Sequence, residues 1–401
     1  MIRRSLAVIA AISAGLVAGG AAGFLARGEP SSRLPPAAPG TVTRHTLPVL
    51  RPVKADTLLA WTPGGLPAEF SVRVADLRHV DHVVAVASGI AWLTRSFSGT
   101  RAVVDRPSNG LAFPIEVAGA DLGTYAPFLA PADRAFLSEL ARGEAMLGRT
   151  SAELRGIGLG GVLQFGARRV RVAGVVPDTE VGANEVFVSR RTAASLGVTT
   201  DRYLLIDPAA GSSRARLSAH IRALLPAGLP VRIRGPGETP YFRQGDAVLP
   251  QVRLKELFGE FAARPAPGGT LIPDPVWERR YIVTTDVPIL GTVRCNRALL
   301  PQLRGALSEV AREGLSHLIS ASQYGGCYSP RFLLRDPNAG ISHHAWGIAV
   351  DLNVQSNPFG HTPHMDPRIV DIFKRWGFKW GGDFLVPDGM HFEFTRFASG
   401  T

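Results

Sequence analysis

At 401 residues the chain exceeds one ordinary domain of about 100–200 residues, and a hydrophobic share of 45% excludes a disordered or fibrous protein. The 44 Lys and Arg against 33 Asp and Glu leave a formal charge of +11, which suits an anionic partner such as a cell-wall polymer or a membrane surface. No Lys/Arg-dense tract with interleaved aromatics is present, so no nucleic-acid partner is expected. Two cysteines exclude both a disulfide-knot scaffold and a Cys-rich zinc finger.

After Met1-Ile2-Arg3-Arg4 the chain runs from Leu6 to Ala26 without a charge. As a helix this stretch is long enough to span about 30 Å of hydrocarbon. Arg3 and Arg4 would stay on the cytoplasmic side. Residues 1–27 are therefore expected to form a signal anchor, a single pass in the cell membrane. Small residues over Ala18–Ala22 leave a cleaved signal peptide, with release to the cell wall, as the alternative. Either way the rest of the chain is extracytoplasmic, where disulfides persist. Residues 28–55 carry Pro30, Pro35, Pro36, Pro39, Pro48 and Pro52 and read as an extended tether.

Residues 56–235 read as a mixed α+β domain. Val72–Val74, Val83–Val86, Val103–Val104 and Ile115–Val117 are short β-branched runs that predict strands. Thr150-x-x-Glu153 is a capping-box pattern for a helix start. Val162–Phe165 and Val170–Val176, joined by Gly166-Ala167, predict a hairpin, Glu185–Val188 a further strand, and Arg214–Leu225 an amphipathic helix. His79, His82 and His220 have no partners at ligand spacing and read as surface or structural histidines. The segments Met146-Leu147-Gly148, Gly161–Phe165, Val172–Val176 and Val186–Val188 resemble the extracytoplasmic core domain of MacB/FtsX-type transporter permeases. The resemblance implies at most an interaction or spacer domain, for which a protein partner is possible but not identified; the transporter's membrane helices are absent.

Residues 236–269 are rich in proline (Pro236, Pro240, Pro250, Pro265, Pro267) and read as a linker holding a short helix around Val252–Ala262. Residues 270–401 are punctuated more sharply. Asn296 is placed to cap a helix with apolar positions Leu299, Leu300, Leu303, Leu307 and Val310, closed by Gly314. Leu315–Ser320 predicts a strand. Asp366-Pro367 supplies an N-cap and first-turn proline, Ile369, Val370, Ile372, Phe373 and Trp376 an apolar stripe, and Gly377 the stop.

Between these helices the residue types point to hydrolysis. A hydrolytic zinc site needs three protein ligands with one position left for water, and a carboxylate to act as general base. His344 and Asp351 are seven residues apart. A tight turn at Gly347 followed by a strand over Ile348–Val354 would set Asp351 beside His344, and Ala349 is small enough to leave room for an ion. His391 opens a second predicted strand, His391–Phe394, and Asp388 lies three residues before it. His361 and His364 form an H-x-x-H pair, but Gly360 and Pro363 put it in a loop. Glu393 is two residues from His391, on the same strand face, and suits a hydrogen-bond acceptor for a ligand imidazole or a surface role. Trp346, Phe378 and Trp380 read as core residues.

Ser342-x-His344-x-x-Gly347-x-Ala349-x-Asp351, followed by Trp380-Gly381-Gly382-Asp383 and Asp388-x-x-His391-Phe392, resembles the paired motifs of the M15 zinc peptidases. These are the VanY-type D-alanyl-D-alanine carboxypeptidases and the related L-alanyl-D-glutamate endopeptidases. The resemblance covers about residues 270–401. It implies an α+β peptidase domain with a small antiparallel sheet and one zinc ion held by His344, Asp351 and His391. Asp388 would be the base, and peptidoglycan stem peptides the substrate. Arg331 suits a substrate carboxylate, and Ser342 either orients a ligand or touches substrate. Base Asp388 is shorter than the Glu of some members, which leaves carboxypeptidase and endopeptidase both open. A membrane-anchored wall-binding protein with a degenerate peptidase module is the non-enzymatic alternative. Cys295 and Cys327 lie in the same extracytoplasmic domain and are expected to pair.

Overall fold

The structure, a computed structural model, describes residues 54–398. The expected anchor, residues 1–27, and all but the last two residues of the expected tether lie outside the described residues. Among the described residues no helix is long and apolar enough to cross a membrane.

Eleven strands before residue 235 join in one mixed sheet. They are β1 (Leu58–Trp61), β2 (Val80–Leu93), β3 (Arg95–Phe97), β4 (Val103–Asp105), β5 (Phe113–Ala120), β6 (Ala145–Gly148), β7 (Val162–Phe165), β8 (Arg168–Val176), β9 (Val186–Ser189), β10 (Asp201–Pro208) and β11 (Arg232–Arg234). The order across the sheet is β11-β1-β10-β2-β5-β9-β6-β8-β7-β3-β4. Strand β2 is long enough to serve two neighbours: its first half pairs with β10 and its second with β5. The central strands β5, β6 and β9 are buried almost throughout because both faces are covered. Their side chains alternate between two cores: Met146 and Phe187 meet Tyr125 and Leu140 on one face, while Leu147, Val186 and Val188 meet Ala152 and Leu163 on the other.

The β7–β8 hairpin forms as its sequence indicates, and helix Arg214–Ala223 packs Leu217 and Ile221 onto the sheet. Two local expectations are corrected. Val72–Val74 is not a strand but part of helix Phe70–Ala75, in which Phe70 and Val74, four residues apart, face the core while Val72 is 60% exposed. The start of helix Arg149–Arg155 is not closed by a capping box. Gly148 is its N-cap, and the carboxylate of Asp178, distant in sequence, accepts from the N–H of Thr150 at 3.0 Å.

Segment 236–269 is built into the core. Helix Gln251–Phe258 buries Leu254 and Phe258, which join Phe261, Trp277, Leu303, Leu307 and Trp346 in one hydrophobic cluster. The Trp346 indole donates to the carbonyl of Gly259 at 3.3 Å, and its ring lies 5.0 Å from that of Phe261. The same helix reaches the large sheet through buried charges. Lys255 sits 2.7 Å from Glu185 and 2.7 Å from Glu260, and Arg155 bridges Glu185, Glu260 and Asp105. Burial opposes the charge on Glu260, but Lys255 and Arg155 outweigh it and hold the carboxyl below its ordinary range.

The C-terminal region adds β12 (Ala263–Ala266) paired with β13 (Thr270–Pro273), and the hairpin β14 (Ile282–Val287) and β15 (Gly291–Asn296). A small antiparallel sheet of order β16-β18-β17 follows: β16 is Ala349–Asp351, β17 Phe378–Trp380 and β18 His391–Phe394. Helix Pro367–Arg375 starts at Asp366, whose carboxylate accepts from the N–H of Arg368, and packs Phe373 on Phe392 of β18 at 4.6 Å. Helix Leu300–Arg312 buries the expected leucine stripe, but Asn296 closes the turn ahead of it by accepting from the N–H of Ala298. Leu315–Ser320 forms a single 3-10 turn rather than a strand. The Asn353 amide takes its backbone groups, accepting from the N–H of Ser320 at 2.8 Å and donating to the carbonyl of Leu318 at 2.7 Å. Asn353 itself has φ 51°, and the strand expected over Ile348–Val354 accordingly ends at Asp351.

Candidate metal centre

Asp351 closes β16 and His391 opens β18, and the antiparallel register sets them directly opposite each other. Alternation then places Ala349 and Glu393, the next pair on that face, behind them, while Val350 and Phe392 point into the core. His344 arrives on the 3-10 turn His343–Trp346. Ser342 caps that turn, its hydroxyl accepting from the N–H of His344 at 3.3 Å, and Gly347 ends it at φ 66°. Any Cβ at Gly347 would lie 2.7 Å from the backbone nitrogen of Asn296, so the turn that brings His344 onto Asp351 requires glycine there.

The hydrogen bonds fix which ring nitrogens face inward. Nδ1 of His344 donates to the carbonyl of Cys327 at 2.9 Å, leaving Nε2 bare, 3.2 Å from Oδ1 of Asp351 and 3.2 Å from Nδ1 of His391. Nδ1 of His391 is 3.1 Å from the same carboxylate oxygen. The three atoms lie within 4.8 Å of one another. Two imidazoles and a carboxylate at this spacing fit one divalent ion, with zinc among the ions such a donor set binds.

The electrostatics agree with a cation site. Burial pushes the Asp351 carboxyl up, yet His344 and His391 overcome it and hold the group far below the carboxylate range. Burial pushes His391 down, but Asp351 and Glu393 beside it raise the imidazole to about 10. The acidic neighbours thus favour positive charge at this place.

Asp388 precedes His391 by a turn in which its carbonyl accepts from the His391 N–H at 3.1 Å. Gly381 makes room: a Cβ there would lie 2.6 Å from the Asp388 carbonyl oxygen and 3.1 Å from the His391 Cβ. Oδ1 of Asp388 is buried without a hydrogen-bond partner among the described residues. Burial raises its pKa, with His391 opposing and Asp351 reinforcing the shift. Arg331 is half-buried and feels Asp351 and Asp388, but no carboxylate among the described residues lies within ion-pair distance of it. Ser342 is buried under the turn it caps. His361 and His364 are exposed and join no metal-ligand group among the described residues. His79, His82 and His220 are likewise exposed. Cys295 and Cys327 form a disulfide.

The Cys327 carbonyl and the contacts of segment 236–269 were not readable from motif spacing, because main-chain acceptors and long-range contacts leave no residue pattern. Tyr324 was also missed: its hydroxyl is buried without a partner among the described residues, and burial together with the nearby Asp351 charge raises its pKa. Its sequence neighbours Gly325 and Gly326 hydrogen-bond to the backbone of Asp351.

Residues 335–394 match the model of a peptidase M15 family described as D-alanyl-D-alanine carboxypeptidase. That span holds His344, Asp351, Asp388 and His391; Arg331 and both cysteines precede it. Two solved structures are similar to the middle region. One is the periplasmic region of MacB from Actinobacillus actinomycetemcomitans, at 13% identity and a TM-score of 0.33, covering 45% of this chain and 89% of that one. The other is the extracellular domain of the noncanonic ABC-type transporter YknZ from Gram-positive bacteria, at 14% identity and a TM-score of 0.27, covering 41% of this chain and 88% of that one.

Proposed function

We propose that the protein is an extracytoplasmic, zinc-dependent peptidase that cleaves peptidoglycan stem peptides in the manner of a D-alanyl-D-alanine carboxypeptidase. The observation that carries this reading is the convergence of His344, Asp351 and His391 beside the buried, unpartnered oxygen of Asp388. One zinc ion held by those three residues would supply Lewis acidity, acidifying a water and polarising the scissile carbonyl. Asp388 accepts the proton of the attacking water and returns it to the leaving amine. A raised pKa suits that exchange better than an ordinary carboxylate would. Arg331, unclaimed by any carboxylate among the described residues, grips the terminal carboxylate of the stem peptide as a bidentate fork. Ser342 holds His344 in place. The proposed setting is the cell membrane, through the N-terminal helix, with release to the wall if that helix is cleaved. The net charge of +11 favours an anionic wall. The middle region would serve a protein partner.

The test is cleavage of muropeptides by the full chain with zinc. Loss of a terminal alanine is the expected product; a cut between the first two residues of the stem would assign the endopeptidase reading instead. Asp388→Ala is expected to lower kcat/KM by about 10²–10⁴-fold with zinc content unchanged. No cleavage of any muropeptide by the zinc-loaded wild type, or full activity of Asp388→Ala, overturns the mechanism.

A further inference from the structure

The candidate ligands rest on a second layer of contacts that leaves the C-terminal region. Glu393, two residues beyond His391 on β18, is 3% exposed. Its Oε2 lies 3.4 Å from Nε2 of His391 and 3.0 Å from Nδ1 of His343, the latter an ion-pair distance without an aligned hydrogen bond. Its Oε1 accepts from the backbone N–H of Val248 at 3.3 Å. Val248 belongs to the segment that joins the large sheet to the small one. Two residues earlier, Asp246 accepts from the N–H of Leu385 at 2.7 Å and pairs with Arg232 at 2.6 Å and Arg234 at 3.2 Å on β11, the edge strand of the large sheet. Leu385 follows Phe384, whose ring is 5.9 Å from that of His391.

A neutral imidazole has one N–H and one bare nitrogen, and the acceptor at one nitrogen decides which face meets a metal. For His344 that acceptor is a main-chain carbonyl. For His391 the Glu393 carboxylate faces Nε2, and Nδ1 is turned toward Asp351 and His344. We propose that Glu393 is the positioning residue for His391. Asp246 and Val248 act as a clamp that holds both Glu393 and the loop before His391 against the edge of the large sheet. Metal affinity is then set partly by residues outside the paired motifs. This inference rests on the metal-site reading above.

The experiment measures zinc affinity of the metal-free full chain by competition with a chromophoric chelator, and the visible spectrum of its cobalt form. Glu393→Gln keeps the shape and removes the charge; it is expected to weaken zinc binding by about 10–100-fold and to shift the cobalt bands. Asp246→Asn, which touches no ligand, is expected to move both in the same direction by a smaller factor. Melting of the metal-free variants is read alongside; if Glu393→Gln does not fold, Asp246→Asn decides. Wild-type zinc affinity and an unchanged cobalt spectrum in the variants overturn the positioning role while leaving the peptidase reading intact. A wild type that binds no divalent ion overturns both.

Discussion

Glu180 is a carboxyl held where a carboxylate is poorly tolerated. It sits buried on the 3-10 turn Asp178–Val181, where its Oε2 accepts from the N–H of Ala130 at 3.0 Å. Burial pushes its pKa up to about 7; the Ala130 hydrogen bond opposes the shift and Asp133 adds to it. In the unfolded chain the group titrates near about 4.3. A folded pKa above the unfolded one means the protonated form is favoured by folding. Its stabilising contribution is therefore full below about pH 4.3 and is lost as pH rises through about 7. The denaturation midpoint is expected to fall between pH 5 and pH 7, and Glu180→Gln is expected to flatten that fall. Equal declines in wild type and variant would show that another group is responsible.

Turns and short strands place the chemistry, and they are where the sequence was most and least informative. Gly347, the Asp366-Pro367 start and the His391–Phe394 strand were all legible, because each follows from local residue chemistry. The convergence of His344, Asp351 and His391 was legible for the same reason: their spacing turns on one tight turn and one antiparallel register. What escaped was set by distant partners. Asp178 caps a helix from another turn, Asn353 takes the backbone groups of a would-be strand, and Phe70 and Val74 make a helix out of a strand-like run because only that spacing reaches the core. The disulfide joins both categories: its pairing, between the chain ahead of helix Leu300–Arg312 and the loop before His344, was expected, and the contact of its Cys327 carbonyl with His344 was not. It ties β15 to the loop whose Cys327 carbonyl orients His344. On the chain-entropy argument, closing a loop with a sequence separation of 32 stabilises by about 3.5–4 kcal/mol. Paired Cys295→Ser and Cys327→Ser substitutions are expected to cost about that much in chemical denaturation and also to weaken zinc binding. Stability lost with zinc affinity intact would mean that the carbonyl holds its place without the bond.

Across the described residues, 54–398, the chain forms one compact unit, and the large sheet and the candidate centre meet through buried polar contacts as well as apolar packing. One junction is electrostatic. Lys255, on the helix that packs against Trp346, is fully buried between Glu185 at the head of β9 and Glu260, with Arg155 sharing both acids. A backbone pairing between Ala112 and Ala263 and a hydrogen bond from Arg202 to the Asn338 carbonyl add to it. Removing one member of such a group is costlier than the group's net worth, because the remaining charges stay buried without their partner. Lys255→Ala is therefore expected to destabilise the chain by about 3–5 kcal/mol. Because the lysine bridges the sheet and the core that carries the candidate metal centre, the loss should be felt on both sides at once. Secondary-structure signal and zinc release, followed in one denaturant titration, are expected to shift together to lower concentration in the variant. If zinc release moved while the sheet signal held its midpoint, the two regions would be energetically separate, and the buried charges would be a local feature of the helix rather than the joint of the molecule.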